Sequence, residues 1–331
     1  MRIVLCYPVE SRHVAQIQQI VPKASVLDAG QEGIAREIMT ADIFCGHAKV
    51  PMPWEDVVQQ GRLRWIQSSA AGLDHCLVPS VIESDIPVTS ASGVLSDQVA
   101  EHTLMLATSL TRNMATFFRQ QQAHEYVRRP TRDLTHSTVG IVGFGAVGRR
   151  VAEVLAPFKT RILATDVYPI DKPSYVQELW PAERLDELLP LVDMLILCLP
   201  LNDQTRWLFN REKLQRMKRG ALLLNMARGK LVVEEDLVAA LEYGPLSAAA
   251  ADVAAEEPLS PTSKLWDLPN MLITPHVAGQ SARRIDNMTN FFCENLRRYQ
   301  TGEPLLNLVD KRLGFPIRRA GEQTTLKTTR E

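Results

Sequence analysis

The sequence predicts an α/β protein built from two doubly wound parallel sheets. Three observations carry this. Short apolar runs of strand type alternate with helix-period segments through residues 1–95 and again from Thr138, the pattern of parallel strands joined by crossover helices. A long apolar helical segment, 95–113, separates the two series. A glycine turn, Gly143-Phe144-Gly145-Ala146-Val147-Gly148, opens the second series. With 331 residues the chain is long enough for two cores of ordinary size,.

The elements follow in order. Strands are predicted at 3–7, 25–27, 43–45, 65–67 and 86–88, with a helical pattern running from the first through Ile20. In the segment 95–113, Val99, His102, Leu104, Met105, Leu106 and Leu110 recur at the spacing of a largely buried helix,. A helix joining two α/β domains can act as a hinge element. Residues 114–136 are polar, with Gln120-Gln121-Gln122 and Arg128-Arg129-Pro130, and read as an exposed arm. Six further strands are predicted at 139–142, 161–165, 194–198, 221–225, 248–252 and 271–274, with helices at 185–191, 211–217 and 234–242 between them. A last long helix, 282–301, is closed by Gly302, and the apolar segment 305–315 should dock on the protein. The polar stretch 321–331 should fray,.

The stretch 137–166 has the order that a dinucleotide site needs: strand, glycine turn, helix, strand, terminal acid,. Gly143 allows the tight turn out of the strand. Gly145 lets the backbone approach a pyrophosphate, and Gly148 lets the helix pack close to the strand. The first-turn N–H groups, from Ala146 and Val147 onward, then face the phosphates. Asp166 lies 18 residues past Gly148. Its carboxylate can accept both hydroxyls of an adenosine ribose and would repel a 2′-phosphate. No Arg or Lys follows before Lys172, so NADH is expected in preference to NADPH.

Composition excludes other classes. The formal net charge is −1 and the pI is near 6.7, which gives no reason to expect a nucleic-acid partner,. The basic clusters are only pairs, such as Arg149-Arg150 and Arg283-Arg284. Five scattered cysteines show no metal-ligand spacing and read as reduced core thiols of a cytoplasmic protein,. The N-terminal run is too short for a signal sequence and reads as a first strand, and no apolar run approaches a membrane span,.

Ligands of doubly wound sheets bind beyond the carboxyl ends of the strands. The second series ends its strands with Leu199-Pro200, with Asn225-Met226-Ala227-Arg228-Gly229, with Asp252 followed by Glu256-Glu257-Pro258-Leu259, and with Thr274-Pro275-His276-Val277-Ala278-Gly279. One Arg, one Glu and one His therefore arise at the same edge of one sheet.

These four motifs, in this order, resemble the D-isomer-specific 2-hydroxyacid dehydrogenase family over about residues 1–315. The resemblance implies two Rossmann/flavodoxin-like domains with the active site in the cleft and the nucleotide domain inserted into the substrate domain. On that reading 1–103 begins the substrate domain, 104–285 is the NAD-binding domain, and 286–331 returns to the first domain, which gives 305–315 its docking place. Arg228 would bind the substrate carboxylate and polarise the reacting carbonyl, since a guanidinium is always charged and presents a planar fork. His276 would be the general acid–base, because reduction of a keto acid needs a proton on oxygen as hydride reaches carbon. Glu257, directly before Pro258, would hold His276 in its protonated form, with Glu256 as its rival. Leu199 and Pro200 would flank the adenosine, Met226 and Ala227 the nicotinamide ribose, Val99 the nicotinamide ring, and Asp252 the carboxamide, with Thr205 a further cofactor-binding residue. In the first domain Ala71 and Gly72, with Ser69, would cradle the substrate carboxylate through backbone N–H groups. The other six histidines read as structural or surface residues, with His47 facing the pocket as the one reserve. A homodimer is implied, through residues near 104–130.

The chain also departs from the family's pattern. Ala146 stands where many relatives carry Arg or another polar residue, Met226 where a small polar residue is common, Cys198 where many have His, and Ala254 where an aromatic is usual. The implied substrate is a small 2-keto or 2-hydroxy acid. Two alternatives stay open: an NAD(H)-sensing binding protein of corepressor type, and phosphoglycerate or formate oxidation on the same scaffold.

Overall fold

A computed structural model describes residues 1–318; the predicted frayed stretch 321–331 lies outside them. The chain forms two compact units, Met1–Leu95 together with the chain from Ser281, and Ser96–Gln280.

In the first unit β1 (Arg2–Cys6), α1 (Ser11–Ile20), β2 (Ser25–Asp28), α2 (Gly30–Glu37), β3 (Ile43–Gly46), α3 (Trp54–Gln59), β4 (Trp65–Ser68), α4 (Pro79–Glu83) and β5 (Val88–Thr89) alternate. The sheet is parallel, in the order β2-β1-β3-β4-β5, the flavodoxin-like order. Ile34, Trp54, Val57 and Val81 from α2, α3 and α4 bury one face of it. Ile17 of α1 buries the other, with Met288, Phe291, Phe292 and Leu296 from the last helix.

The second unit begins with α5 (Ser96–Thr111) and α6 (Met114–Gln122). Then come β6 (Thr138–Val142), α7 (Ala146–Leu155), β7 (Arg161–Asp166), β8 (Glu178–Pro181), α8 (Leu185–Leu188), β9 (Met194–Leu197), α9 (Arg211–Gln215), β10 (Ala221–Asn225), α10 (Glu234–Glu242), β11 (Leu246–Ala251) and β12 (Met271–Ile273). The strands run parallel in the order β12-β11-β10-β9-β6-β7-β8. Leu106 and Ala107 of α5 and Val151 and Leu155 of α7 cover one face; Leu188, Leu214, Leu237 and Leu241 from α8, α9 and α10 cover the other. The strand order reverses between β6 and β9, and such a reversal opens a ligand crevice at the carboxyl ends.

The chain then re-enters the first unit as α11 (Arg284–Thr301), followed by the short hairpin β13 (Val309–Asp310) and β14 (Phe315–Pro316). The apolar segment docks there: Val309 is in the core, Leu305 and Leu306 pack beneath α11, and the Asn307 amide donates to the Ser90 and Ser92 carbonyls. The second unit is thus inserted into the first.

Three details differ from the sequence reading. A boundary after residue 103 would divide α5, yet the whole helix belongs to the second unit because its buried side continues onto the α7 face of that sheet. The arm 114–136 begins with a helix, α6, which starts after Asn113 turns the chain with φ +56°; only 121–133 is exposed throughout. The sheet has a seventh strand, β8, an edge strand whose sequence Glu-Leu-Trp-Pro lacks the apolar run of the others.

Candidate active site

The glycine turn sits at the β6/β9 reversal. Gly143 has φ +88°, and a Cβ there would lie 2.7 Å from the Leu199 backbone. A side chain is excluded on both counts. At Gly148 a Cβ would meet the Gly143 carbonyl oxygen at 2.1 Å, so only glycine lets α7 pack against the turn. Gly145 is the opposite case: a Cβ there meets nothing within 4 Å. Gly145 is also the N-cap of α7, and no side chain caps that helix. The first-turn N–H groups of Ala146, Val147 and Gly148 are thus left for a ligand, with open space before them. At the end of β7, Asp166 accepts from the Phe144 N–H at 2.5 Å and from the Tyr168 N–H at 2.8 Å, which ties the acid to the glycine turn. These residues fit a dinucleotide.

Next along the edge, Leu199 is buried and Pro200 half-buried. The Thr205 hydroxyl donates to the Pro200 carbonyl at 2.7 Å and accepts from the Asn202 N–H at 2.8 Å, so it holds this loop in shape. Cys198 precedes them, its thiol pushed up to about 12 by burial. Met226 and Ala227 are each 8% exposed, so their side chains belong to the core and their backbone is what they offer a ligand.

The turn after β10 is closed by Asn225. Its side chain accepts from the Ala227 N–H at 3.1 Å and donates to the Arg228 carbonyl at 2.9 Å. That pair of bonds explains Asn at the head of Asn-x-Ala-Arg-Gly. Arg228 is half-buried, and Nη1 donates to the Ala227 carbonyl at 2.7 Å, which orients the guanidinium plane. At Gly229 a Cβ would lie 1.9 Å from the Ala254 carbonyl carbon and 2.3 Å from the Ala255 nitrogen. The turn carrying Arg228 therefore lies directly against the loop that leads to Glu257.

Glu257 and His276 meet: Glu257 Oε2 is 2.8 Å from His276 Nδ1. The other carboxylate oxygen, Oε1, accepts from the Ala254 N–H at 3.1 Å. The pair is partly exposed, at 48% for the His276 side chain and 39% for Glu257. His276 has φ +52°, a left-handed conformation uncommon outside glycine and strained when imposed,. The constraint comes from Asp252, only 2% exposed. The Asp252 carbonyl accepts from the His276 N–H at 2.7 Å. Its carboxylate accepts from the Thr274 hydroxyl at 2.6 Å and from the Val277 and Ala278 N–H groups, each at 2.9 Å. Asp252 therefore organises the whole loop that presents His276.

The second unit thus gathers Gly143, Gly145, Ala146, Val147, Gly148, Asp166, Leu199, Pro200, Thr205, Met226, Ala227, Arg228, Asp252, Glu257 and His276 at one sheet edge, and Val99, half-buried, lies in the first turn of α5. Ser69, Ala71 and Gly72 follow β4 in the first unit. There the Ser69 N–H donates to the Gly46 carbonyl at 3.1 Å and the Ala70 N–H to the Ser68 hydroxyl at 3.0 Å. The N–H groups of Ala71 and Gly72 are the ones that turn can offer an anion. His47 lies in the same unit, its ring stacked on His75 with centroids 4.0 Å apart.

Two features escaped the sequence. Gly229 was visible as a residue, but its close approach to Ala254 depends on two loops from different strands. His102, on α5, has Nε2 2.9 Å from the Thr274 hydroxyl, a contact 172 residues away in sequence. Among the described residues, no group of three or more His, Cys, Asp or Glu is arranged to hold a metal ion, and no helix is long and apolar enough to cross a membrane.

An inserted doubly wound unit with an uncapped helix behind its glycine turn, and Arg, Glu and His at the same edge, defines the class of dinucleotide-dependent oxidoreductases. The family profile of the D-isomer specific 2-hydroxyacid dehydrogenase NAD-binding domain matches residues 104–278. The chain belongs to this family. It is 33% identical over 272 residues to a glyoxylate reductase of Thermococcus kodakarensis, covering 78% of this chain and 80% of that protein. The fold superposes on the NADPH-dependent glyoxylate/hydroxypyruvate reductase of Sinorhizobium meliloti with a TM-score of 0.81 at 26% identity, covering 95% of this chain and 99% of that one. It superposes on an NAD-dependent formate dehydrogenase of Staphylococcus aureus with a TM-score of 0.74 at 26% identity, covering 97% and 100%.

Proposed function

We propose that this protein reduces a small 2-keto acid, of the glyoxylate and hydroxypyruvate class, to the D-2-hydroxy acid with NADH. The observation that carries the reading is the His276–Glu257 pair, 2.8 Å apart, at the same sheet edge as Arg228 and the open glycine turn. The nicotinamide, when bound, supplies the hydride. The chain's own residues do the rest. Arg228 binds the substrate carboxylate through its fork and polarises the C2 carbonyl. His276 donates a proton to the carbonyl oxygen as C2 gains the hydride, which leaves the alcohol and a neutral imidazole. Glu257 pairs with Nδ1 at 2.8 Å and so fixes the ring, which leaves Nε2 for the substrate,. Ala71 and Gly72 add backbone donors for the carboxylate.

A bound dinucleotide would be held at the β6/β9 reversal, where the first-turn N–H groups of α7 would take its pyrophosphate,. Leu199 and Pro200 would flank its adenosine, Met226 and Ala227 the nicotinamide ribose, and Val99 the ring, with Thr205 a further cofactor residue. Asp252 would orient the carboxamide with the acceptor capacity that its loop bonds leave on Oδ2. Asp166 selects NADH, since its carboxylate repels a 2′-phosphate and no basic residue follows before Lys172,. Met105, Phe118, Tyr126 and Val127 are large apolar side chains at the surface of 104–130, and a homodimer contact there would cover them. The site is that of a cytoplasmic enzyme whose thiols stay reduced.

The test is NADH and NADPH consumption at 340 nm with glyoxylate, hydroxypyruvate, pyruvate and phenylpyruvate, on wild type and His276→Ala. Turnover of at least one acid with NADH, lost in the variant while NADH still binds, is the expected result. Silence across the panel with tight NADH binding would overturn the assignment and favour a nucleotide-sensing protein.

A further inference from the structure

We propose that His102 is a positioning residue for the acid–base His276, acting through Thr274 and Asp252. The inference rests on the reading of His276 given above. His102 sits on α5, one turn beyond Val99 and remote in sequence from the four strand-end motifs, with a side chain only 16% exposed. Its Nε2 is 2.9 Å from Thr274 Oγ1 and 3.6 Å from Asp252 Oδ1.

The bond pattern assigns the donors. Thr274 Oγ1 gives its hydrogen to Asp252 Oδ1 at 2.6 Å, since an ionised carboxylate can only accept,. Thr274 Oγ1 must therefore accept from His102, and Nε2 carries the hydrogen. His102 thus fixes the rotamer of the Thr274 hydroxyl and adds positive potential beside a carboxylate that is 3% exposed. That carboxylate holds the Val277 and Ala278 N–H groups, and the same residue's carbonyl holds the His276 N–H. The chain of contacts runs from α5 to the residue whose φ is +52°. Without the donor on α5, Thr274 loses its orientation and Asp252 loses one of the groups that keep its charge compensated.

A helix-borne residue can hold the loop more firmly than the loop can hold itself, because α5 is packed across the sheet face through Ala100, Leu106 and Ala107. His102 would therefore set the rate of proton donation without touching substrate or coenzyme.

The experiment compares wild type, His102→Leu, His102→Gln and Thr274→Val. His102→Leu removes the donor; His102→Gln keeps one; Thr274→Val breaks the relay on the loop side if the His102 variants fold poorly. Two readouts are taken: kcat and KM with the best keto acid of the panel, and backbone amide exchange over Val277 and Ala278 in the free protein. His102→Leu and Thr274→Val should speed exchange of these amides about tenfold, as local opening becomes easier. They should lower kcat about tenfold with KM and NADH affinity little changed. His102→Gln should recover much of both. Wild-type exchange in His102→Leu and Thr274→Val would overturn the inference, as would full kcat in both with accelerated exchange. A wild type silent on every keto acid would sink the functional reading instead, while the exchange arm still decides whether His102 holds the loop.

Discussion

Gly229→Ala should disable catalysis and weaken coenzyme binding much less. The added Cβ would sit 1.9 Å from the Ala254 carbonyl carbon and 2.0 Å from its oxygen. Real Cβ contacts are essentially never under 3.0 Å, so turn and loop must part by at least 1.1 Å (3.0 − 1.9). Both neighbours are backbone, so no side-chain rotation relieves the clash. The loop that moves carries Glu257, which is anchored to the Ala254 N–H. A displacement of that size would stretch the 2.8 Å contact to His276 towards 3.9 Å, beyond hydrogen-bond range,. An ångström of misplacement in a catalytic constellation costs about 10²-fold in rate. The overpacking should cost about 1–3 kcal/mol of stability. The assays are steady-state kcat with the best keto acid, NADH affinity by fluorescence, and thermal unfolding. Expected are a large fall in kcat, a lower Tm and a smaller loss of NADH affinity, because the glycine turn at Gly143–Gly148 is untouched and only the turn of Met226 and Ala227 shifts. A variant with wild-type kcat, even if less stable, would show that the loop relaxes without moving Glu257 and would refute the reasoning.

Three further outcomes follow from the same geometry. Gly145→Ala places its methyl in open space, so Tm should hold, yet NADH affinity should fall about tenfold or more because the pyrophosphate needs that space,; titration of NADH fluorescence checks it. Asp166→Asn keeps an acceptor for the Phe144 N–H but removes the charge, so the ratio of kcat/KM for NADPH over NADH should rise about tenfold,; an unchanged ratio would mean that Asp166 does not select the coenzyme. Burial pushes the Cys76 and Cys198 thiols up to about 12 and those of Cys6 and Cys293 up to about 11, and raises Cys45 well above its usual value. At pH 8 a thiol at 12 is ionised in only about one molecule in 10⁴, and the thiolate is the reactive form. A thiol reagent at pH 8 should therefore find no fast-reacting cysteine in the native protein and all five after unfolding; a burst equal to one thiol would contradict this.

The parts of the fold legible in the sequence are those that one segment specifies alone. The run 139–142, its glycines and Asp166 contain the whole strand–turn–helix–strand unit, and the structure adds only distances. The apolar central strands are legible for the same reason, since burial on both faces demands continuous hydrophobicity. β8 was not legible, because an edge strand with Glu178 and Pro181 at its ends needs no such run. α6 was hidden by its three glutamines, which favour a helix but read as polar arm. In the site, the residues at each strand end were visible, but their contacts were not. Nothing local says that Gly229 abuts Ala254, or that His102 reaches Thr274, because those contacts are set by the packing of loops and a helix over one sheet edge.

The magnitudes show where the order of the site resides. The His276–Glu257 pair is partly exposed, and an exposed ion pair contributes about 0–1 kcal/mol,. A non-glycine residue in a sparsely populated backbone region costs about 1–3 kcal/mol. The pair alone therefore cannot hold His276 at φ +52°. The Asp252 carboxylate can: it accepts three hydrogen bonds at 2.6–2.9 Å in a buried setting, and bonds to a charged group contribute about 1.5–3 kcal/mol each. On the proposed mechanism the imidazole that moves the proton stays partly exposed and reachable, while its geometry is fixed from below by a carboxylate that is almost wholly buried. That division accounts for a buried acid at the end of β11 in a site where, on the proposed mechanism, exposed groups on the loops beyond it perform the chemistry.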